Sequence, residues 1–163
     1  MKKQWKTYLF WILLAEGTGL LAAFLSRDGL ARFQQTAVKP SFLPPAIVFQ
    51  VVWSFLYALM GIGAARVWLT ASRGIRQTAI NLFIAQGIIN FFWPLLFWNA
   101  KAYGLSVYWL ILLWVLILLM ILAFRQADKA AALLQIPYLV WVTFAFALNV
   151  AVWQLNLSVC LTK

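Results

Sequence analysis

Five stretches of this chain are apolar for about twenty residues each, the length an α-helix needs to cross the hydrocarbon of a bilayer. They run approximately over residues 5–25, 46–69, 78–98, 105–124 and 136–157. A soluble fold of this size cannot hide so much apolar surface. Of the 163 residues, 66% are hydrophobic and 10% charged, and the mean hydropathy is +0.91, against about 45–50% apolar and about 25% charged in an ordinary soluble domain. The runs are continuous rather than alternating, which argues for helices and against the strands of a membrane barrel. The connections near Ser72, Ala100 and Gln126 are a few residues long, so consecutive helices must lie side by side and antiparallel. The expected fold is an all-α integral membrane protein, a five-transmembrane-helix bundle forming one domain over 1–163. The connection 26–43 is longer, polar and basic, and reads as a loop leading to Pro44-Pro45 at the head of the second span. The first span is too long for the core of a signal peptide, about 7–15 residues, and is expected to stay uncleaved.

Lysines and arginines collect on cytoplasmic loops. One set of helix ends carries Lys2, Lys3, Lys6, Arg66, Arg73, Arg76, Arg125 and Lys129; the other carries Arg27, Arg32, Lys39, Lys101 and Lys163. The larger set predicts an inside N-terminus, with the long loop outside. The basic loops fit a bacterial inner membrane better than an organellar import signal. The net charge of +10 sits at helix ends, where basic side chains reach for anionic headgroups. It therefore points to the lipid bilayer and not to nucleic acid.

The titratable inventory excludes most enzyme chemistry. With 0 His there is no Ser-His-Asp triad and no His-ligated zinc or haem, and 1 Cys allows neither a thiolate cluster nor an intrachain disulfide. The 3 acids, Glu16, Asp28 and Asp128, are far apart in sequence. No metal site is expected. What the chain has instead is rings: 13 Phe, 10 Trp and 5 Tyr.

Polar groups within spans tend to face a bundle interior or a cavity. In the third span Gln86, Asn90, Trp93 and Phe97 fall on one helical face; in the fifth, Tyr138, Trp141, Ala145, Asn149 and Trp153 do so, with Asn156 extending the stripe. In the second, Phe49, Trp53, Tyr57 and Met60 share a face. Two readings stand at this point. Amides and small residues can be glue between helices, or flat rings and amides can wall a cavity for a large planar ligand. Trp5, Trp68, Trp98 and Trp109 read as anchors at the membrane interface, whereas Trp53, Trp93 and Trp141 share faces with polar groups. Glu16 is the acid within a span: either a neutral acid satisfied by neighbouring helices or a functional group. The small residues around it, Ala15, Gly17-Thr18-Gly19 and Ala22-Ala23, suit close helix packing within the bundle or across a dimer.

Longer motifs then become visible. Lys39-Pro40-Ser41-Phe42-Leu43-Pro44-Pro45 leads into Val48-Phe49, Val52-Trp53 and Leu56-Tyr57-Ala58-Leu59-Met60-Gly61. Asn90-Phe91-Phe92-Trp93-Pro94 lies in the third span, and Pro137-Tyr138-Leu139-Val140-Trp141 with Ala145, Asn149 and Trp153-Gln154-Leu155-Asn156 in the fifth. Together they resemble the TspO/MBR family of tryptophan-rich sensory and translocator proteins over nearly the whole chain. The resemblance implies a five-helix bundle, a homodimer, and a pocket under the first loop. It implies binding of tetrapyrroles such as protoporphyrin IX or haem, and of isoquinoline- or benzodiazepine-type drugs. It further implies light-dependent porphyrin degradation involving Trp53 and Trp141 as the catalytic rings. By matched motif the pocket residues include Pro44, Trp53, Asn90, Trp141 and Ala145. Adding the stripes gives Phe49, Tyr57, Gln86, Trp93, Phe97, Tyr138 and Asn149 as further ligand-binding candidates.

The chain departs from the pattern in places. Phe42 and Ile47 stand where tryptophans are frequent, and Gln50-Val51 replaces a Gly-Pro-like pair. Val150 and Gln154 stand where the vertebrate cholesterol motif has Tyr and Arg, which argues against tight cholesterol binding. Without His, only Tyr, Met or Cys160 could ligate a haem iron, so metal-free porphyrin is expected to matter more than ligated haem. No cofactor is required. The expected mechanism is a pocket between the second, third and fifth spans, with propionates meeting Lys39 or Arg32 at the mouth. The alternative is a transporter of porphyrins or other amphiphiles with Glu16 as its proton site.

Overall fold

A computed structural model describes residues 4–161, with side chains as far as residue 157. Lys2, Lys3, Lys163 and the Cys160 side chain lie outside the described residues. The helices are α1 (Gln4–Thr36), α2 (Ala46–Thr70), α3 (Arg73–Pro94), α4 (Tyr103–Ala127), the single-turn α5 (Lys129–Leu133) and α6 (Ile136–Leu161), with a π-helical turn, Leu95–Asn99, continuing α3. Five helical segments are long and apolar enough to cross a membrane, so the chain is an all-helical integral membrane protein.

The expected loop over 26–43 is corrected. Helix α1 continues through Thr36, and only residues 37–45 connect it to α2. At 33 residues α1 is about 50 Å long, well beyond a hydrocarbon layer of about 30 Å. The segment Ser26–Thr36 is polar enough to read as extramembrane, but Leu, Ala, Arg and Gln are good helix formers. Its buried residues Ser26, Gly29 and Phe33 prolong the stripe of Trp11, Ala15 and Ala22, so the same face that packs in the membrane packs beyond it. Gly29 is required there: a Cβ would collide with the Asn99 side chain and lie 2.7 Å from the Trp98 backbone carbon.

Helix α1 packs between α2 and α3, and α4 between α3 and α6. The α1–α2 crossing is close because of Gly61, whose added Cβ would stand 2.5 Å from Ile12 Cα. Helices α2 and α6 meet through rings: Phe49 on Trp141 at 5.5 Å and Trp53 on Tyr138 at 6.0 Å between centroids. Away from the 37–45 connection the interior is close-packed by Met60, Leu113, Ile117, Met120 and Phe124, all fully buried.

At that end Asp128 ties three helices. Its Oδ1 accepts from the Ala130 and Ala131 N–H groups at 2.8 and 3.2 Å, capping α5, and its Oδ2 pairs with Arg66 Nη2 of α2 at 2.7 Å. Burial pushes the carboxyl up, but the hydrogen bonds from Ala131, Arg66 and Ala130 and the Arg66 charge outweigh it, so its pKa lies below the usual 3.8. A carboxyl lowered by folding contributes stability above the unfolded value and loses it as pH falls through the folded one. Asp128→Ala is therefore expected to cost about 1–3 kcal/mol at pH 7. That deficit should shrink as the pH is lowered below about 4. Thermal unfolding in detergent at a series of pH values checks this, and a deficit independent of pH would contradict it.

Candidate functional site

A cavity of about 480 Å³ opens in the half of the bundle nearest the 37–45 connection. From α1 it takes Glu16, Ala23, Arg27, Leu30 and Gln34, spaced by seven, four, three and four so that they form one face. From α2 it takes Phe49, Gln50, Trp53, Ser54 and Tyr57; from α3, Asn90, Trp93 and Pro94; from the π-turn, Trp98; Leu43 and Pro44 close the remaining side.

Local chain chemistry places these groups. Pro45 is extended (φ −56°, ψ 149°) and starts α2, accepting from the Val48 N–H at 2.9 Å. Pro94 has no N–H to give the Asn90 carbonyl, and the helix widens just after it. The Ala100 N–H reaches back to the Leu95 carbonyl at 3.0 Å, and the Ala102 N–H to Leu96 at 3.1 Å. The wider turn lets two successive rings point inward. Phe97 stacks on Trp93 at 5.2 Å, and Trp98 packs on Phe33 at 4.6 Å. Trp98, expected as an interfacial anchor, is 7% exposed and walls the cavity. Pro94 was the available signal, but it does not say which way the next turn rotates. Trp5 and Trp68 remain exposed, and Trp109 donates to the Ile89 carbonyl at 2.7 Å.

The candidates divide into walls and supports. Pro44, Phe49, Trp53, Tyr57, Asn90 and Trp93 line the cavity. Behind them, Asn90 Nδ2 donates to the Tyr57 hydroxyl at 3.1 Å, and Trp93 Nε1 donates to Asn149 Oδ1 at 3.3 Å. Asn149 Nδ2 in turn donates to the Tyr103 carbonyl at 2.9 Å. Tyr138 donates to Gln86 Oε1 at 2.8 Å, and both are fully buried. Ala145 and Phe97 are also buried. Trp141 packs on Phe49 and Phe144, and its Nε1 is buried without a hydrogen-bond partner. The expected walls from the second, third and fifth spans are thus corrected: this cavity is walled by α1, α2 and α3, and α6 backs it. The α2 stripe lines the cavity through Phe49, Trp53 and Tyr57, while the α6 stripe packs behind it, Trp141 on Phe49 and Tyr138 on Trp53. A second hollow of about 430 Å³ between α1 and α3 is apolar and shares Tyr57 and Asn90 with the first as a dividing wall.

Two further features were not apparent in the sequence. The basic wall residue is Arg27, not Lys39 or Arg32; Lys39 Nζ is engaged with the Gln34 carbonyl at 2.6 Å. The connection over the cavity is clasped to α6 by Asn156. The Val38 N–H donates to its Oδ1 at 3.1 Å, and its Nδ2 donates back to the Val38 carbonyl at 2.9 Å. Among the described residues there is no cluster of His, Cys, Asp or Glu fit to hold a metal.

The sequence matches known proteins. The TspO/MBR family model fits residues 11–154. The chain is 34% identical to the tryptophan-rich protein TspO of Chlorobaculum tepidum over 160 residues, covering 96% of this chain and 99% of that protein. It is 34% identical to the human translocator protein over 136 residues, 82% of this chain and 79% of that one. It is 29% identical to the tryptophan-rich sensory protein of Cereibacter sphaeroides over 156 residues, 96% and 95% of the two chains. Matched from the first span to the last, and carrying the expected stripes on the expected helices, the chain belongs to the TspO/MBR family.

Proposed function

We propose that this chain is a membrane sensor or regulator that binds a tetrapyrrole, protoporphyrin IX above all, and that also accepts isoquinoline- or benzodiazepine-type drugs. The observation that carries the reading is the composition of the cavity. Its roughly 480 Å³ falls within the range of about 300–1,000 Å³ typical of small-molecule sites. Its walls combine Trp53, Trp93, Trp98, Phe49 and Tyr57 with a few polar groups. Flat rings suit a flat macrocycle, and Arg27 at the mouth offers a guanidinium to a propionate. With no His in the chain, metal-free porphyrin is favoured over ligated haem.

A bound porphyrin is its own photosensitiser, and tryptophan is oxidisable, so light-dependent degradation needs no acid–base residues. Trp53 stands in the wall and Trp141 one ring behind it, through Phe49. Transport is less well supported. Beyond the cavity Tyr57 and Asn90 divide it from the second hollow, and deeper in the bundle Met120, Phe124 and the Gln86–Tyr138 pair are fully buried, so a conduit would need these groups to part. The homodimer, the bacterial inner membrane and the inside N-terminus belong to the same reading and rest on the resemblance and the charge distribution.

Titration with protoporphyrin IX in light and in darkness tests the proposal. Binding should quench tryptophan fluorescence in both, and porphyrin absorbance should decay only in light and only with protein. Trp53→Phe and Trp141→Phe should slow that decay while sparing binding; an unaltered rate would remove them from the photochemistry. Haem should give no His-type low-spin spectrum.

The Asn156 clasp sets access. Two hydrogen bonds of about 1 kcal/mol each hold the connection down, so Asn156→Ala should raise the porphyrin dissociation rate by up to about thirtyfold. Stopped-flow fluorescence measures it, and an unchanged rate would mean the ligand leaves by another path.

A further inference from the structure

The cavity contains a group that the tetrapyrrole reading leaves unused. Glu16 sits in its wall at bilayer depth, half-buried. Neither Glu16 nor Gln50 and Ser54, which line the same cavity from α2, has a hydrogen bond or an ion pair within the described residues. A carboxyl inside a membrane is costly unless something pairs with it, and the described residues supply no partner. The nearest basic wall residue, Arg27, is eleven positions along the same helix, about 16 Å away. It is drawn off besides, over the Phe24 ring at 4.4 Å and towards Asp28 at 3.5 Å. Around Glu16 the walls are rings. Tyr57 is seated against Gly19, one turn from Glu16, where any Cβ would strike it, and Trp53 lies 5.5 Å from Tyr57.

We propose that Glu16 makes the inner end of this cavity a site for an organic cation, with the Tyr57 and Trp53 faces completing its cage. A carboxylate and aromatic faces act on a cation in the same sense, one by charge and the others through their quadrupoles, and both are strongest where water is excluded. A neutral amide at this position would keep the shape and lose the charge. The ligand class is an aromatic amphiphile bearing an ammonium, phosphonium or similar group. Its charged end lies towards Glu16 and its apolar body against Trp93 and Trp98. The inference uses the cavity described above but not its occupation by a tetrapyrrole.

Tetraphenylphosphonium and tetraphenylborate have the same shape and opposite charge, which isolates the carboxylate. The full chain in an uncharged detergent is titrated with each by calorimetry, with partition into empty micelles subtracted. The cation is expected to bind about tenfold or more tighter than the anion. Glu16→Gln should abolish that preference and Glu16→Asp retain it, each variant being checked for native helicity and thermal unfolding. Equal affinity for the two ions in the native protein, or a preference that survives Glu16→Gln in the folded variant, overturns the proposal. Protoporphyrin is titrated in parallel. If it fails to bind while the cation preference stands, the tetrapyrrole reading falls and this one does not.

Discussion

A bilayer offers no water to polar side chains, so every amide and hydroxyl within a span must find its partner in the protein or in a ligand. Helix α3 meets this demand with three rungs. Gln86 accepts from Tyr138 of α6, Asn90 donates to Tyr57 of α2, and Trp93 donates to Asn149, which continues to the Tyr103 carbonyl of α4. Each such bond is worth only about 0.6–2 kcal/mol in a membrane. Together they tie α3 to α2, which walls the cavity with it, and to α6, which backs it, with α4 joined through Asn149. They also settle the orientation of the rings. Tyr57 and Trp93 cannot turn away from the cavity without leaving an amide unpaired.

The rungs explain why half of the residues expected to touch ligand stand behind the wall. Helical spacing shows which side chains share a face, and in that respect Gln86–Asn90–Trp93–Phe97 and Tyr138–Trp141–Ala145–Asn149 were legible in the sequence. Spacing does not show what a face meets. Tyr138 and Asn149 are consumed in holding Gln86 and Trp93, so amides bonded between helices and rings lining a cavity occur on the same helices at successive depths. The five crossings were legible because twenty apolar residues have few other uses. The helical extension of α1 was not, because hydropathy reports where a segment lies and not how it is coiled. Trp98 was misplaced for a different reason: one π-turn shifts the register by a residue, and an anchor becomes a wall.

The wall contributed by α1 was the least visible part of the site. Its one aromatic residue, Phe33, and its basic residue, Arg27, both lie in what reads as a loop, and the rest of the face, Glu16, Ala23, Leu30 and Gln34, carries no ring. Its geometry follows from glycine. Gly61 lets the α1 backbone touch α2, and Gly29 lets it touch the π-turn. Between these two close contacts Gly19 is seated against Tyr57, and the cavity opens beside that ring.

This arrangement bears on what chemistry the protein can host. The cavity is walled by aromatic rings and carries one carboxyl, Glu16, and one guanidinium, Arg27, on the same helix face about 16 Å apart. On the proposed reading these charges orient an amphiphile and the rings hold its planar part, and light absorbed by a bound macrocycle supplies the energy for any transformation. On the tetrapyrrole reading proposed above, the lack of histidine suits metal-free porphyrin, since an imidazole beside Trp93 would offer an axial ligand to a haem iron. The polarity of the α1 face, acid within and base at the mouth, is the feature by which this cavity would select among the planar and cationic molecules that dissolve in a membrane.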